Sequence, residues 1–204
     1  MGGIYTETEE HIMGREFELK FRASANQMAA IMADYDGFQE ITMQTTYYDT
    51  PESSLSERKW ALRHRLENGV SLGTLKTPGE NGARGEWEAE AVDITAGVLA
   101  LCRLGAPEEL KSLVSGGLEA VCSARFIRQA ARIDLDGCTV ELALDRGILK
   151  GGARFILFGE VEVELKSGSD EAAVAFAKDL AVKYGLIPER NSKYLRALDL
   201  TGRI

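Results

Sequence analysis

The sequence is poor in the residues that most often build zinc sites and disulfide frameworks. Its 204 residues include two histidines, His11 and His64, and three cysteines, at positions 102, 122 and 138. An odd number of cysteines without C-x-x-C spacing is typical of reduced thiols, so we expect a cytoplasmic protein. The distance between the histidines argues against a His-rich zinc site and against a Ser-His-Asp triad built on His11. Any chemistry therefore falls to carboxylates, lysine and arginine.

Positive charge and long apolar runs are also scarce. The chain has 24 Lys and Arg against 32 Asp and Glu, a formal net charge of −8. An acidic chain fits poorly with nucleic-acid binding, which depends on surplus positive charge. No apolar run approaches the roughly 18 residues of a membrane-spanning helix, and residues 1–13 lack the pattern of a secretory signal. We expect neither a nucleic-acid nor a membrane partner.

What the chain does contain is a series of short alternating segments. Period-2 and β-branched patterns predict about eight strands, at 17–21, 45–49, 61–65, 71–77, 86–91, 120–134, 140–149 and 160–166. Capping and helical periodicity predict helices at 24–36, 95–104, 107–114, 169–184 and 192–200. Because composition does not break along these segments, we expect a flexible tail over 1–13 and a single domain over 14–204.

The charges on these strands alternate with apolar residues and are clustered by sign. Glu16, Glu18 and Lys20 share one strand face, and so do Arg63 and Arg65. A third strand carries Glu160, Glu162 and Glu164 on one face. A plain β-sandwich with solvated polar faces is the ordinary explanation of such alternation, but like charges on neighbouring positions repel and bring a surface sheet no benefit. The pattern favours a closed sheet with a charged interior, whose outward apolar faces are covered by helices.

A charged interior indicates a ligand. Buried charges are costly unless they are paired or bind ions. Carboxylate clusters bind hard divalent cations such as Mg²⁺ or Mn²⁺, and clustered Arg and Lys bind phosphoryl oxygens. The two sets together predict a site for a metal ion and a polyphosphate.

The same residues form an ordered series that resembles the motifs of the CYTH superfamily, the triphosphate tunnel metalloenzymes. The series is Glu16-x-Glu18-x-Lys20, Tyr47-Tyr48-Asp49-Thr50-Pro51, Leu62-Arg63-His64-Arg65, Thr74-Leu75-Lys76, Arg84-Gly85-Glu86, Arg128, Glu141 to Asp145, Glu160 to Glu164, and Ser192-Lys193. It spans about residues 14–200 and is most similar to inorganic triphosphatases with a stand-alone CYTH domain.

The resemblance implies an α+β fold, in which an eight-stranded antiparallel β-barrel forms a tunnel with a charged lumen and carries its helices outside. It implies that the triphosphate is bound by Lys20, Arg63, Arg65, Lys76, Arg84, Arg128 and Lys193. It implies that one or two Mg²⁺ or Mn²⁺ ions are bound by Glu16, Glu18, Asp145, Glu160, Glu162 and Glu164. The catalytic candidates are Lys20, which would orient the attacking water, and Glu18 or Glu162, which would accept its proton. One position departs from the family, since Ala130 stands where a second basic residue is common; Arg132 and Arg125 are the candidate substitutes.

The implied activity is metal-dependent hydrolysis of inorganic tripolyphosphate to phosphate and diphosphate. The alternatives are a class IV adenylate cyclase, which converts ATP to cyclic AMP and diphosphate, a thiamine or nucleoside triphosphatase, and a non-catalytic polyphosphate-binding module. The expected partner is accordingly tripolyphosphate or an organic triphosphate. Both a monomer and a homodimer are compatible with the sequence.

Overall fold

The computed structural model describes residues 17–78 and 84–203, with Arg84 described by its backbone alone. Glu16, the Arg84 side chain and the predicted tail over 1–13 lie outside the described residues. Nine strands are present in the described chain: β1 (Glu18–Arg22), β2 (Gln39–Asp49), β3 (Ala61–Glu67), β4 (Val70–Pro78), β5 (Arg84–Glu90), β6 (Glu119–Leu135), β7 (Cys138–Gly151), β8 (Arg154–Gly168) and β9 (Ile187–Pro188). The eight predicted strands are all among them.

The nine strands form one antiparallel sheet in the order β5-β4-β3-β2-β6-β7-β8-β1-β9. The predicted eight-stranded closed barrel is therefore wrong in two respects: there is a ninth strand, and hydrogen bonds among the described residues do not close the sheet. The short β9 is one physical reason. It pairs with β1 at two positions, and Pro188 has no N–H with which to extend the ladder toward another strand.

Six helices occur in the described residues: α1 (Ala25–Asp34), α2 (Ser54–Glu57), α3 (Ile94–Arg103), α4 (Glu109–Leu113), α5 (Asp170–Tyr184) and α6 (Lys193–Asp199). Ser24 starts α1 with a capping box formed with Gln27, and Gly185 ends α5 in the left-handed conformation. The Gln27 side chain also donates to the carbonyl oxygens of Tyr184 and Gly185, which ties the start of α1 to the end of α5. None of these helices is long and apolar enough to cross a bilayer.

Two helical layers cover the convex face of the sheet. Helices α1 and α5 pack on β1, β7 and β8, where Phe21, Leu142 and Val161 are buried against Ile31 and Leu180. The apolar side chains of these strands thus point outward and the charged ones inward. Burying them removes apolar surface from water at about 25 cal/mol per Å², so the fold is stabilised from its outside.

The second outer layer consists of α3 and α4 on β3 and β4. Leu62 and Leu75 are fully buried there against Leu101. The helix comes close to the sheet because two glycines face each other: a Cβ added at Gly73 would lie 3.0 Å from the Cα of Gly97. The predicted helices outside the sheet are thereby confirmed.

Helix α6 differs from the others because it packs against the concave face. Its residues Ala197 and Leu198 are buried against Phe126 and Leu149, which belong to β6 and β7. Leu149 and Asp145 are an even number of positions apart on β7, so their side chains share one face of the sheet. Helix α6 therefore lies on the same face as the charged residues. The sequence predicts this helix, but not that it fills one end of the interior.

Candidate active site

The concave face of the sheet lines a cavity of about 570 Å³. Strands from both halves of the sheet, β1 and β8 as well as β3 to β5, contribute to the same lining, so the sheet is strongly curled. The charged lining residues are Glu18, Lys20, Arg63, Arg65, Glu67, Lys76, Glu86, Glu88, Arg128, Glu141, Glu162, Glu164, Lys166 and Lys193. The interior predicted from strand parity is therefore a real charged cavity.

One wall of the cavity, the basic wall, presents clustered basic side chains with glutamates beside them. Arg63 and Arg65 project from β3, and Lys76 projects from the neighbouring strand β4. Lys76 Nζ lies 3.1 Å from Glu86, and an Arg63 Nη atom lies 3.7 Å from the carboxylates of both Glu86 and Glu88. These last distances are long for hydrogen bonds, and Arg63 Nε is buried without a hydrogen-bond partner. The wall therefore retains capacity to donate to an anion.

Arg65 is the least compensated cation of this wall. Its side chain is 11% exposed; its Nε donates to Thr45 Oγ1 at 3.1 Å, and Glu67 is 3.9 Å away. Burial, followed by the charge of Arg63, lowers the pKa of Arg65 to about 10. The guanidinium remains charged at neutral pH in an environment that disfavours its charge, so a polyanion bound here would relieve that cost.

The opposite wall is acidic and belongs to β1, β7 and β8. Glu18 on β1 lies directly opposite Glu164 on β8, which in turn lies opposite Glu141 on β7. Two lysines interrupt this row: Lys20 Nζ is 3.4 Å from Glu18, and Lys166 Nζ is 2.8 Å from Glu164. The row thus presents several carboxylates with lysines alongside, a donor set suited to hard divalent cations.

The floor of the cavity is a cluster of three buried carboxylates, Asp145, Glu160 and Glu162. One oxygen atom from each lies within 4.8 Å of the others. Asp145 and Glu160 are fully buried and lie opposite each other on β7 and β8. Three carboxylates at this spacing fit a single metal ion by ligand type and distance.

In this structure three basic side chains neutralise the cluster. Arg128 donates to both oxygens of Asp145 at 2.8 Å and also contacts Glu162. Lys193 Nζ lies 2.7 Å from Asp145 and 2.6 Å from Glu162. The two remaining contacts are made to Glu160, one by Lys193 and one by Arg196. Every carboxylate oxygen of the cluster therefore has a cationic partner.

The start of α6 explains how Lys193 and Arg196 reach the floor. Ser192 caps the helix, and its Oγ accepts from the N–H of Leu195 at 3.1 Å. Lys193 is the first residue of the helix and Arg196 follows three positions later, so both project from one side. Both cations also lie over the ring of Phe158, at 5.6 and 5.4 Å from its centre.

The floor residues show how charge and burial compete. Burial opposes ionisation of Glu162, but the charges of Lys193 and Arg128 outweigh it and hold the pKa of Glu162 well below its usual range. At Glu160 burial dominates and raises the pKa to about 7. Burial also disfavours the charge of Lys193, yet the surrounding carboxylates raise its pKa. The charged groups of the cluster therefore depend on one another to stay ionised.

Most of the predicted site residues come together in this cavity. Those that line it are Glu18, Lys20, Arg63, Arg65, Lys76, Arg128, Glu162, Glu164 and Lys193. Asp145 and Glu160 lie beneath the lining, in contact with Lys193.

Neither candidate substitute for the basic residue at position 130 reaches the cavity. Arg125 is exposed, and strand parity sets it on the face opposite Arg128. The Arg132 side chain is 70% exposed and contacts Asp134 instead. The sequence interpretation left out Arg196 and Lys166, although the period of α6 and the parity of β8 respectively could have identified them.

The Asp49-Thr50 pair has a local structural role. Asp49 accepts hydrogen bonds from the backbone N–H groups of Thr50, Leu55 and Ser56 at 2.8 to 3.0 Å, and Thr50 Oγ1 accepts from Ser54. These contacts fix the turn into α2, so this pair supports the wall, whereas Tyr47 of the same motif lines the cavity.

Comparison with known proteins agrees with this geometry. The sequence profile of the CYTH domain matches residues 14–198. The inorganic triphosphatase of Haemophilus influenzae is 29% identical over 180 residues, which cover 84% of this chain and 51% of that protein. The chain therefore spans about half the length of this curated relative.

Solved structures share the fold at low sequence identity. HpAC1 from Hippeastrum, an adenylyl cyclase homologue described as having a dominant triphosphatase activity, aligns with a TM-score of 0.63 at 18% identity and covers 90% of this chain and 95% of its own. PH1819 from Pyrococcus horikoshii aligns with a TM-score of 0.61 at 24% identity, over 92% and 99% of the two chains. Because the CYTH domain profile matches most of the length of this chain, the chain belongs to the CYTH domain family.

Proposed function

We propose that this protein hydrolyses inorganic tripolyphosphate to phosphate and diphosphate with the help of a divalent metal ion. The observation that carries the proposal is the division of one cavity into a basic wall, around Arg63 and Arg65, and an acidic wall, around Glu18 and Glu164. A polyphosphate chain with its metal ion requires both kinds of surface at once. The name of the Haemophilus relative points to the same substrate.

The basic wall binds the substrate in this proposal. Arg63, Arg65 and Lys76 donate to phosphoryl oxygens, and they are assisted by Arg128 and Lys193 from the floor. Arg84, which belongs to β5, completes the proposed set by its position in the family motif. Because guanidinium groups bind phosphate through two parallel hydrogen bonds, this wall also stabilises charge that develops on the transferred phosphoryl group and on the leaving diphosphate.

The metal-binding residues divide into two groups. Glu18 and Glu164, with Glu16 by its place in the motif, would hold Mg²⁺ or Mn²⁺ next to the phosphates. Asp145, Glu160 and Glu162 have the right oxygens as well, but Lys193 would first have to leave them. A divalent cation bound there supplies charge neutralisation of the phosphate oxygens and acidification of a bound water molecule.

In this proposal, side chains of β1 and β8 orient the attacking water molecule and accept its proton. Lys20 lies directly opposite Glu162 in the sheet, and its Nζ is 3.4 Å from Glu18. Lys20 is thus positioned to orient a water molecule between itself and a carboxylate. Glu18 or Glu162 then accepts the proton of this water as it attacks the terminal phosphorus atom.

The test is phosphate release from tripolyphosphate, ATP and thiamine triphosphate in parallel, with Mg²⁺ and with Mn²⁺, together with detection of cyclic AMP. We expect turnover to be fastest with tripolyphosphate and to stop when metal is chelated. Cyclic AMP from ATP would replace the proposal with a cyclase, and a preference for an organic triphosphate would change the substrate.

A thermal-shift experiment separates an enzyme from a binding module. Tripolyphosphate and metal together should raise the melting temperature, because a ligand that binds only the folded state stabilises it. At a ligand concentration of a hundred times Kd, the free energy of unfolding rises by about 2.7 kcal/mol. Such a shift without phosphate release would leave only binding. The absence of both would overturn the interpretation of the cavity.

A further inference from the structure

The first part of β8 has an open edge. On one side, residues 154–158 pair with β7, from Arg154 opposite Gly151 to Phe158 opposite Gly147. On the other side, β1 pairs with β8 only from Glu160 to Glu164, because β1 ends at Arg22. No strand among the described residues adjoins 154–158 on that side.

The direction of the backbone groups on this edge follows from two hydrogen bonds. The N–H of Leu165 donates to the carbonyl of Phe17 at 2.9 Å, and the N–H of Ala23 donates to the carbonyl of Gly159 at 3.0 Å. Odd-numbered residues of β8 therefore direct their backbone groups toward the β1 side. By the alternation of an antiparallel ladder, Phe155 and Leu157 direct an N–H and a C=O each toward the open side. No described group pairs with these four.

The side chains on this edge are apolar and exposed. Leu157 is 77% exposed, Phe155 65% and Ile156 39%, and Ile148 on β7 is exposed beside Leu157. A groove of about 480 Å³, partly lined by residues 156–159 and Ile187, runs beside the edge. An open, apolar strand edge is a template for another strand, and proteins usually protect such edges with charges, proline or a covering element. Within the described part of the chain, none of these protects the edge at 155–157.

We propose that a second copy of this chain covers the edge, with the two β8 strands pairing antiparallel about a two-fold axis at Ile156. The register follows from the backbone. In an antiparallel pair, residues that exchange hydrogen bonds must both direct their groups toward the partner strand. With the axis at Ile156, Phe155 of each copy lies opposite Leu157 of the other, so this pair occurs twice. All four free groups of each chain then enter four intermolecular hydrogen bonds.

The neighbouring registers use fewer of these groups. Centring on Leu157 would place Phe155 opposite Gly159, whose carbonyl already accepts from Ala23. Centring on Phe155 would place Leu157 opposite residue 153, in the turn outside the strand. The two-fold pairing at Ile156 is the one that the available donors and acceptors support.

The side chains agree with the same register. The two Ile156 residues form a non-hydrogen-bonded pair, the closer kind in an antiparallel ladder. Phe155 packs beside Leu157 of the second copy on the outer face. Arg154 falls opposite Phe158, so the two arginines stay apart and do not repel. The edge is therefore self-complementary, which favours a second copy over an unrelated strand.

The first test is the mass of the protein in solution by sedimentation over a concentration series. We expect the wild type to reach twice the chain mass and Ile156→Lys to remain monomeric, because it would set two ammonium groups opposite each other. Ile156→Glu should also be monomeric, because it would set two carboxylates opposite each other. A mixture of the two variants should form a heterodimer, because an ammonium group then lies opposite a carboxylate. Val182→Lys, at an 84% exposed valine of α5, is the matched control and should remain a dimer.

Cross-linking tests the register. With the partly exposed Cys102 replaced by serine, Ile156→Cys should form a disulfide-linked dimer under mild oxidation, whereas Val182→Cys should not. Circular dichroism verifies that each variant is folded. A monomeric wild type, a dimer that survives Ile156→Lys, or cross-linking of Val182→Cys as efficient as that of Ile156→Cys would overturn the proposal.

Discussion

Arg128 and Asp145 form a bidentate ion pair across neighbouring strands, with Nε–Oδ1 and Nη2–Oδ2 distances of 2.8 Å each. Asp145 is fully buried, and Lys193 also contacts Oδ2 of the same carboxylate. The carboxylate therefore faces two cations at once, and it anchors the floor of the cavity to β6 and to α6. Its removal would leave the largely buried positive charges of Arg128 and Lys193 without this counter-ion.

We expect Asp145→Ala to lower the free energy of unfolding by about 3–5 kcal/mol, the usual cost of removing one partner of a buried ion pair. Urea denaturation of the two proteins measures the difference. Asp134→Ala is the matched control, since Asp134 is 79% exposed and pairs with Arg132 at 3.8 Å. An exposed pair contributes about 0–1 kcal/mol, so equal losses in the two variants would contradict this account of the floor.

Arg65 should show opposite effects on stability and on activity. Arg65→Met removes a buried cation that Arg63 repels and that has few compensating contacts. We expect its melting temperature to equal or exceed that of the wild type, while kcat/KM for tripolyphosphate falls by about 10²-fold, or about 2.7 kcal/mol of transition-state stabilisation. Arg125→Met, at an exposed outward position, should change neither. A large loss of stability in Arg65→Met would show that the residue is structural.

The lowered pKa of Glu162 predicts that the stability of the protein falls at acid pH. Its pKa is well below the usual value in the folded protein, chiefly because the charges of Lys193 and Arg128 overcome burial. The unfolded chain therefore takes up this proton first, and the stability that Glu162 contributes is lost as the pH falls below about 4.5. We expect the melting temperature of the wild type to fall more steeply through this range than that of Glu162→Gln. Parallel curves would contradict the prediction.

Asp49 should affect folding and leave substrate binding intact. Its carboxylate accepts three backbone hydrogen bonds at the turn into α2 and is 1% exposed. Asp49→Ala would leave these donors buried and unpaired, at about 1–3 kcal/mol each. We expect a large loss of stability by urea denaturation, with KM for tripolyphosphate close to that of the wild type. A higher KM without a loss of stability would assign Asp49 to the substrate site.

The sequence was sufficient to predict the strands and the charged interior because both depend on local alternation. In β1, β3 and β8, a charged residue at every second position needs no knowledge of the partner strand. Of the nine family residues that line the cavity, those on β1, β3 and β8 were predicted by the same alternation, whereas Arg128 and Lys193 were expected from the family motifs. These features are properties of single strands, and they survive assembly unchanged.

Features that depend on assembly were not predicted. The first six residues of β8, 154–159, were missed because Phe155, Ile156, Leu157 and Phe158 form a continuous apolar run without a period of two. The counter-charges at the floor were missed in part because Arg196 meets Glu160 only when α6 enters the interior. Closure of the sheet was expected both from the charge pattern and from the family resemblance, but it depends on edges that strand patterns do not describe.

The insertion of α6 has a consequence for the time at which the protein matures during synthesis. Asp145, Glu160 and Glu162 leave the ribosome before Lys193 and Arg196 do, since the helix follows β8 in the chain. A nascent chain with β1 to β8 outside the exit channel carries these three carboxylates but, of the three cations that contact them, only Arg128. The floor of the cavity therefore cannot reach its final charge balance until α6 has emerged, which would delay the proposed activity until synthesis has passed this helix.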